Sequence, residues 1–195
     1  VDAWLKGDRA VTPLFEPTAR ASLRGVGATK NYVILNVLEN VRSRPCVMKL
    51  EGGRWTRTPV DVPEFGVADV WAVDPDGSDD IFLQFADFLT PTRLSLGTAG
   101  KPGLETLKAL PAFFNPDGLE IAQHEAVSKD GTRIPYFEVA PKGMKLDGRN
   151  PTLLNGYGGF EVSETPYYSG VRGAGWIERG GVFVLANIRG GGEFG

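Results

Sequence analysis

The chain contains PTLLNGYGGF at residues 151–160 and VFVLANIRGGGEFG at residues 182–195, two apolar segments that each run into a glycine-rich loop. The uninterrupted apolar run at 182–188 is typical of a strand that is covered on both faces. Residues 171–179, between the two segments, are read as one or two helical turns that end at Gly180 and Gly181. This order of strand, glycine loop, helix, strand and glycine loop predicts the opening of an α/β sheet.

The character of the chain changes after Pro111, and a hairpin is predicted ahead of this sheet. Residues 124–127 and 133–139 are strand-like and flank an Asp-Gly turn at Asp130 and Gly131, a strong short-range hairpin signal. Counted along the chain from the first strand of this hairpin, the strand at 151–155 is then the third. We expect the sheet to be incomplete, because its last apolar strand lacks a following crossover and neighbours.

The first half of the chain covers the same pattern twice, with four predicted strands per unit. The matched segments are 23–26 with 70–73, 32–38 with 80–86, 45–50 with 92–96, and 55–60 with 104–107. The period of roughly 47 residues falls in the range of β-propeller blades. The alternative is an ordinary meandering sheet whose strands happen to be evenly spaced.

Composition narrows the function classes. The 195 residues carry 21 basic and 24 acidic side chains, a formal net charge of −3, so binding to nucleic acid is not expected. The apolar runs are too short to cross a bilayer, so no membrane partner is expected. A lone Cys46 excludes an internal disulfide framework and is interpreted as a small buried residue.

Few residues carry conventional catalytic signals. His124 is the single histidine, and no serine lies in a G-x-S-x-G context. His124 is therefore interpreted as a half-exposed strand residue. Residues 190–195 spell G-x-G-x-x-G after a strand, as in dinucleotide-binding loops, but Glu193 would place negative charge beside a pyrophosphate. No metal site and no cofactor are expected.

The loop at residues 156–160 is the more informative glycine segment. A loop that leaves the third strand of an α/β-hydrolase sheet commonly supplies an oxyanion-hole donor. The phenolic hydroxyl of Tyr157 would be suited to donate to a developing oxyanion. A tight turn with two buried aromatic residues, Tyr157 and Phe160, explains the same spacing equally well.

Four longer segments resemble the prolyl oligopeptidase family of serine peptidases. They are NPTLLNGYGGF (150–160), TPYYS (165–169), WIERGGVFVLANIRGGGEFG (176–195) and SKDGTRIPYF (128–137). The resemblance is dense over residues 113–195 and fainter upstream. Relatives that cleave after basic residues carry a GYGSYG-like version of the first segment, so the resemblance favours the proline-specific branch.

The resemblance implies a division into residues 1–112, similar to the last two blades of a seven-bladed propeller, and residues 113–195, similar to the first part of an α/β-hydrolase domain. Tyr157 matches the oxyanion-hole tyrosine, and Phe160 matches an aromatic residue that lines the pocket for the substrate's proline ring. Asn187, Arg189 and Glu193 match a motif that we interpret as structural, with the charged pair bracing the glycine loop.

The implied activity is a serine endopeptidase that hydrolyses short proline-containing peptides after proline. The catalytic Ser, Asp and His match no residue of this chain, because His124 precedes the third strand, whereas the histidine comes last in this fold. The chain is therefore expected to be an inactive interior fragment. The alternatives are a peptide-binding module that does not cleave and, less favoured, a dinucleotide-binding domain. We expect a cytoplasmic location, with the periplasm as the alternative.

Overall fold

The fold is almost entirely β-strand, and a computed structural model describes it for residues 2–194. A short helix, α1, spans Asp2–Leu5. The strands form three separate sheets that follow one another along the chain. No helix within residues 2–194 combines the length and the apolar character that crossing a membrane demands.

The first sheet is an antiparallel meander in the order β1-β2-β4-β5, with a two-residue strand β3 attached to β2. Its strands are β1 (Ala21–Ala28), β2 (Val33–Glu39), β3 (Arg42–Ser43), β4 (Cys46–Glu51) and β5 (Arg54–Pro59). Neighbouring buried residues of β2 and β4 enter two different cores, with Ile34 and Val47 in one and Leu35 and Cys46 in the other. Cys46 is 1% exposed, which confirms its interpretation as a buried residue.

The second sheet repeats the four-stranded meander in the order β6-β7-β8-β9. Its strands are β6 (Val67–Ala72), β7 (Asp80–Ala86), β8 (Arg93–Thr98) and β9 (Glu105–Ala109). Strands therefore form at all the matched positions of the sequence repeat. The very short β3 is the element that the repeat did not predict.

The third sheet has the order β10-β11-β13-β12 and mixes antiparallel with parallel pairing. Its strands are β10 (Leu119–Val127), β11 (Arg133–Pro141), β12 (Thr152–Gly156) and β13 (Val182–Ala186). The predicted hairpin forms around Gly131, whose φ of +85° is the left-handed conformation that such a turn uses. The parallel pair β12 and β13 is joined through a helix, α2 (Gly170–Arg172), and a π-helical turn, Gly173–Ile177.

The first two sheets pack face to face around one apolar core. Ile34 and Val47 of the first sheet meet Val70 and Phe85 of the second, all of them buried. A side chain also replaces backbone pairing here: the Asn36 amide donates to the Val70 carbonyl at 2.9 Å and accepts the Val70 N–H at 3.0 Å. This double hydrogen bond fixes the position of β6 against β2.

A second core joins the third sheet to the rest of the chain. Phe137 and Phe183 are fully buried in it, and the ring of Phe88, from the loop after β7, lies tilted against Phe137 and edge-on to Phe183. Val41, in the turn between β2 and β3, is also fully buried in this core. Val41, from a turn of the first sheet, is therefore inserted into the core of the third sheet.

Candidate functional site

Two loops meet at one edge of the third sheet. Because β12 and β13 are parallel, with Gly156 opposite Ala186, the loops that follow them leave from the same edge, where α/β sheets place their ligand sites. These loops are residues 157–164 and 187–194. The sequence-predicted site residues Tyr157, Phe160 and Asn187 lie on them.

Glycine allows the two loops to touch through their backbones. A Cβ at Gly158 would collide with the Arg189 carbonyl oxygen, and a Cβ at Gly190 would collide with the Gly158 carbonyl oxygen. Gly190 also has a φ of +92°, which side chains rarely tolerate. The glycine runs therefore serve close packing of the two loops.

Phe160 stands at the tip of a tight turn. The Val162 N–H donates to the Gly159 carbonyl at 3.1 Å, and the two central residues, Phe160 and Glu161, have φ values of +55° and +54°. Such conformations are unfavourable for residues other than glycine and concentrate at functional sites. The Phe160 side chain is 95% exposed, so an apolar ring is held out from the protein surface.

Tyr157 lies beside this turn, with its ring folded over Gly159. A Cβ at Gly159 would come within 2.8 Å of the Tyr157 hydroxyl oxygen. Tyr157 is 43% exposed, and within the described residues its hydroxyl has no hydrogen-bond partner. The alternative prediction of a tight turn is therefore right about the turn and wrong about burial, because both aromatic rings are accessible.

Glu193 is the buried centre that holds the two loops together. Its carboxylate, in a residue 2% exposed, accepts the Glu164 N–H at 2.9 Å and the Asn187 side-chain amide at 3.1 Å. Asn187 donates in addition to the Glu164 carbonyl at 2.6 Å. The second loop is thereby tied to residue 164 of the first by two hydrogen bonds, and the Asn187–Glu193 bond lies within the second loop.

Arg189 and Glu193 do not pair with each other, and each contacts a different part of the chain. The Arg189 guanidinium reaches the hairpin turn instead, where it donates to Asp130 at 2.5 Å and to the Ser128 hydroxyl at 2.6 Å. These bonds lower the pKa of Asp130. The physical reason for the separation is that Glu193 points inward, whereas Arg189 is more than half exposed.

His124 lies on β10, away from both loops. Its side chain is 44% exposed, with Nε2 at 3.8 Å from a Glu138 carboxylate oxygen, as the half-exposed strand interpretation predicted. In residues 2–194 no three His, Cys, Asp or Glu side chains are grouped so as to hold a metal ion.

Sequence reasoning missed two participants in the site. Glu164 binds the second loop through its backbone, and Asp130 orients Arg189 across a separation of 59 residues. A contact made by the backbone cannot be recognised from the residue type. The sequence signal nearest to Glu164 was the TPYYS segment beside it.

Comparison with known proteins gives relatives along most of the chain. No family model matches it. An uncharacterized peptidase of Sinorhizobium fredii is 43% identical over 182 residues, which make up 93% of this chain and 25% of that protein. The prolyl endopeptidase of Elizabethkingia meningoseptica is 39% identical over 116 residues, or 60% of this chain and 16% of that enzyme.

The fold is shared as well. The solved structure of a post-proline cleaving enzyme from Rickettsia typhi superposes with a TM-score of 0.76 at 36% identity, over 93% of this chain and 26% of that one. The chain therefore spans about a quarter of the length of the Sinorhizobium and Rickettsia proteins. Since these relatives and this structural neighbour are peptidases of one family, the chain belongs to the prolyl oligopeptidase family of peptidases.

Proposed function

We propose that the whole protein is a serine endopeptidase that cleaves short peptides on the carboxyl side of proline, and that this chain supplies part of its site. The observation that carries the proposal is the exposed aromatic turn, in which Tyr157 and Phe160 lie on the first of two hydrogen-bonded loops at the sheet edge. The names of relatives, prolyl endopeptidase and post-proline cleaving enzyme, support the same substrate class.

In this proposal the two aromatic residues have separate roles. Serine attack on the peptide carbonyl develops negative charge on its oxygen, and the Tyr157 hydroxyl donates to that oxyanion. Phe160 presents an apolar face against the proline ring. The Ser, Asp and His of the triad come from outside residues 1–195, so this chain alone does not hydrolyse peptides.

The proposed architecture follows the same division as the sheets. The two meanders are the last two blades of a seven-bladed β-propeller, within residues 1–112, and the third sheet begins an α/β-hydrolase domain in residues 113–195. The matching strand positions in the two meanders and the parallel, helix-linked pair β12 and β13 support this division. A packing role for loop 187–194 accounts for its glycines without a dinucleotide.

A matched pair of peptides tests the proposed activity in the whole protein. The two peptides differ only in proline or alanine before the scissile bond, and we expect cleavage of the proline peptide to dominate. Phe160→Ala should lower kcat/KM for the proline peptide more than for the alanine peptide, by about ten-fold for the loss of one apolar contact surface. Leu146→Ala removes another exposed apolar side chain and serves as the control.

Two outcomes would contradict the proposal. An equal loss for both peptides in Phe160→Ala would remove this ring from proline recognition. Binding of the proline peptide by the whole protein without any hydrolysis would instead favour the alternative function, a peptide-binding module.

A further inference from the structure

A second concave site lies where the first sheet meets the hairpin of β10 and β11. It is a cleft of about 790 Å³, and four arginines contribute to its lining, from three separate parts of the chain. They are Arg20, Arg42, Arg44 and Arg133. Tyr157 and Phe160 do not line this cleft, so it is distinct from the candidate peptidase site.

The arginines of this cleft, which we call the arginine cleft, outnumber its carboxylates. Glu125 accepts hydrogen bonds from both Arg20 and Arg133, so two guanidinium groups share one negative charge. Among the described residues, Arg44 has no carboxylate oxygen within 4.0 Å. Glu39 is the one other acid in the lining. Glu64, outside the lining, pairs with Arg42 at 2.6 Å, so the four arginines exceed the neighbouring carboxylates by one.

Neutral groups as well as carboxylates hold two of these arginines in place, because Arg42 also pairs with Glu64 and Arg20 with Glu125. Arg42 donates through Nε to the Gln123 side-chain oxygen at 2.5 Å, and Gln123 donates in turn to the Asn40 carbonyl at 2.7 Å. Arg20 donates to the Asn40 side-chain oxygen at 3.2 Å. Restraint before binding lowers the entropy cost of binding a ligand, and it distinguishes this cleft from mobile surface arginines.

We propose that the arginine cleft binds a small anion through a carboxylate or phosphate group. The planar guanidinium fork matches both groups by paired hydrogen bonds, and Arg44 is available for them. A carboxylate already occupies one such position, since Glu125 lies between Arg20 and Arg133. This site is additional to the peptidase function and does not depend on it.

Inorganic phosphate and succinate are suitable probes. Each is titrated separately into the whole protein, and the NaCl concentration is adjusted so that the ionic strength stays constant. We expect saturable binding by calorimetry for at least one of them. Arg44→Gln should weaken that binding by about ten-fold, as for the loss of one charge-assisted hydrogen bond. Arg54→Gln removes an exposed arginine of β5 outside the cleft and should leave the affinity unchanged.

A third variant has the opposite expected sign. Glu125→Gln releases Arg20 and Arg133 from their shared carboxylate, so it should tighten binding of the same probe, an outcome that a misfolded variant would not produce. Saturation with phosphate alone identifies a phosphate site, and saturation with succinate identifies a carboxylate site. No saturable binding of either probe, or equal losses in Arg44→Gln and Arg54→Gln, would overturn the proposal.

Discussion

At the scale of single residues, the proposed chemistry depends on the position of one phenolic hydroxyl. The Tyr157 oxygen lies where a Cβ at Gly159 would be only 2.8 Å away, closer than ordinary van der Waals contact. Gly159 therefore acts as a positioning residue for Tyr157, although it brings no chemistry of its own.

Gly159→Ala tests that positioning role. We expect the added methyl to displace the hydroxyl and to lower kcat by about ten-fold, since small misplacements of a catalytic group are costly. In a Tyr157→Phe background the same substitution should have little further effect, because no hydroxyl remains to be displaced. Equal losses in both backgrounds, measured as kcat in a double-mutant cycle, would show that Gly159 acts in another way.

Residue type identified the candidate site residues better than it identified their partners. Glycine spacing and the family resemblance led to Tyr157, Phe160 and Glu193. The partner of Arg189 was not predictable, because Asp130 lies 59 residues away on another element and no local pattern encodes such a contact. The positive φ of Phe160 was also hidden, since aromatic residues rarely adopt it.

At the scale of elements, the turn between β2 and β3 is unusual. Its two central residues, Asn40 and Val41, have φ values of +49° and +63°, as a type I′ hairpin turn requires. Valine is disfavoured there by its branched Cβ, yet its side chain is fully buried against the third sheet. Burial in the shared core compensates for an unfavourable backbone conformation.

Two substitutions at Val41 separate burial from backbone strain. Val41→Ala should lower the free energy of unfolding by about 1.5–3 kcal/mol, because two methyl groups leave the core. Val41→Gly should cost no more than Val41→Ala, since glycine adopts this φ without strain. The measurement is the thermal unfolding midpoint of both variants. A midpoint clearly lower for Val41→Gly than for Val41→Ala would contradict the claim that the backbone at residue 41 is strained.

The strands themselves were largely predictable, because alternating and continuous apolar runs report burial directly. The turn at Asn40 and Val41 and the short strand β3 were not, since the sequence lacks the Asn-Gly or Asp-Gly signal that marks the hairpin at Gly131. The π-helical geometry of Gly173–Ile177 was likewise not predictable, because the sequence pattern indicated helical turns without distinguishing their type.

At the scale of the whole molecule, an ion pair links the residue just before the first sheet to the third sheet. Arg20 precedes β1 and binds Glu125 of β10 at 2.5 Å. Hydrogen bonds from Arg133 and Arg20 lower the pKa of Glu125. A carboxylate whose pKa is lowered in the folded state stabilises that state at pH values above its ordinary pKa of about 4.3. This stabilisation is lost as the pH falls through the lowered pKa.

Glu125→Gln makes that pH dependence measurable. At neutral pH the variant should have a lower thermal midpoint than the unmodified protein, because the bridge between the sheets is gone. The difference should shrink as pH falls below the ordinary carboxyl range, where the unmodified protein loses the same charge. A difference that stays constant down to strongly acid pH would contradict this role for Glu125.

The most direct test of the central claim is the rate of acylation in a Tyr157→Phe variant of the whole protein, measured in single turnover on a proline peptide. We predict a decrease of about ten- to a thousand-fold, the range for losing one oxyanion-hole donor. Tyr167→Phe removes another exposed tyrosine hydroxyl, one that bonds Arg172 instead, and should leave the rate unchanged. An unchanged acylation rate in Tyr157→Phe, with chemistry shown to be rate-limiting, would contradict the proposed role of Tyr157.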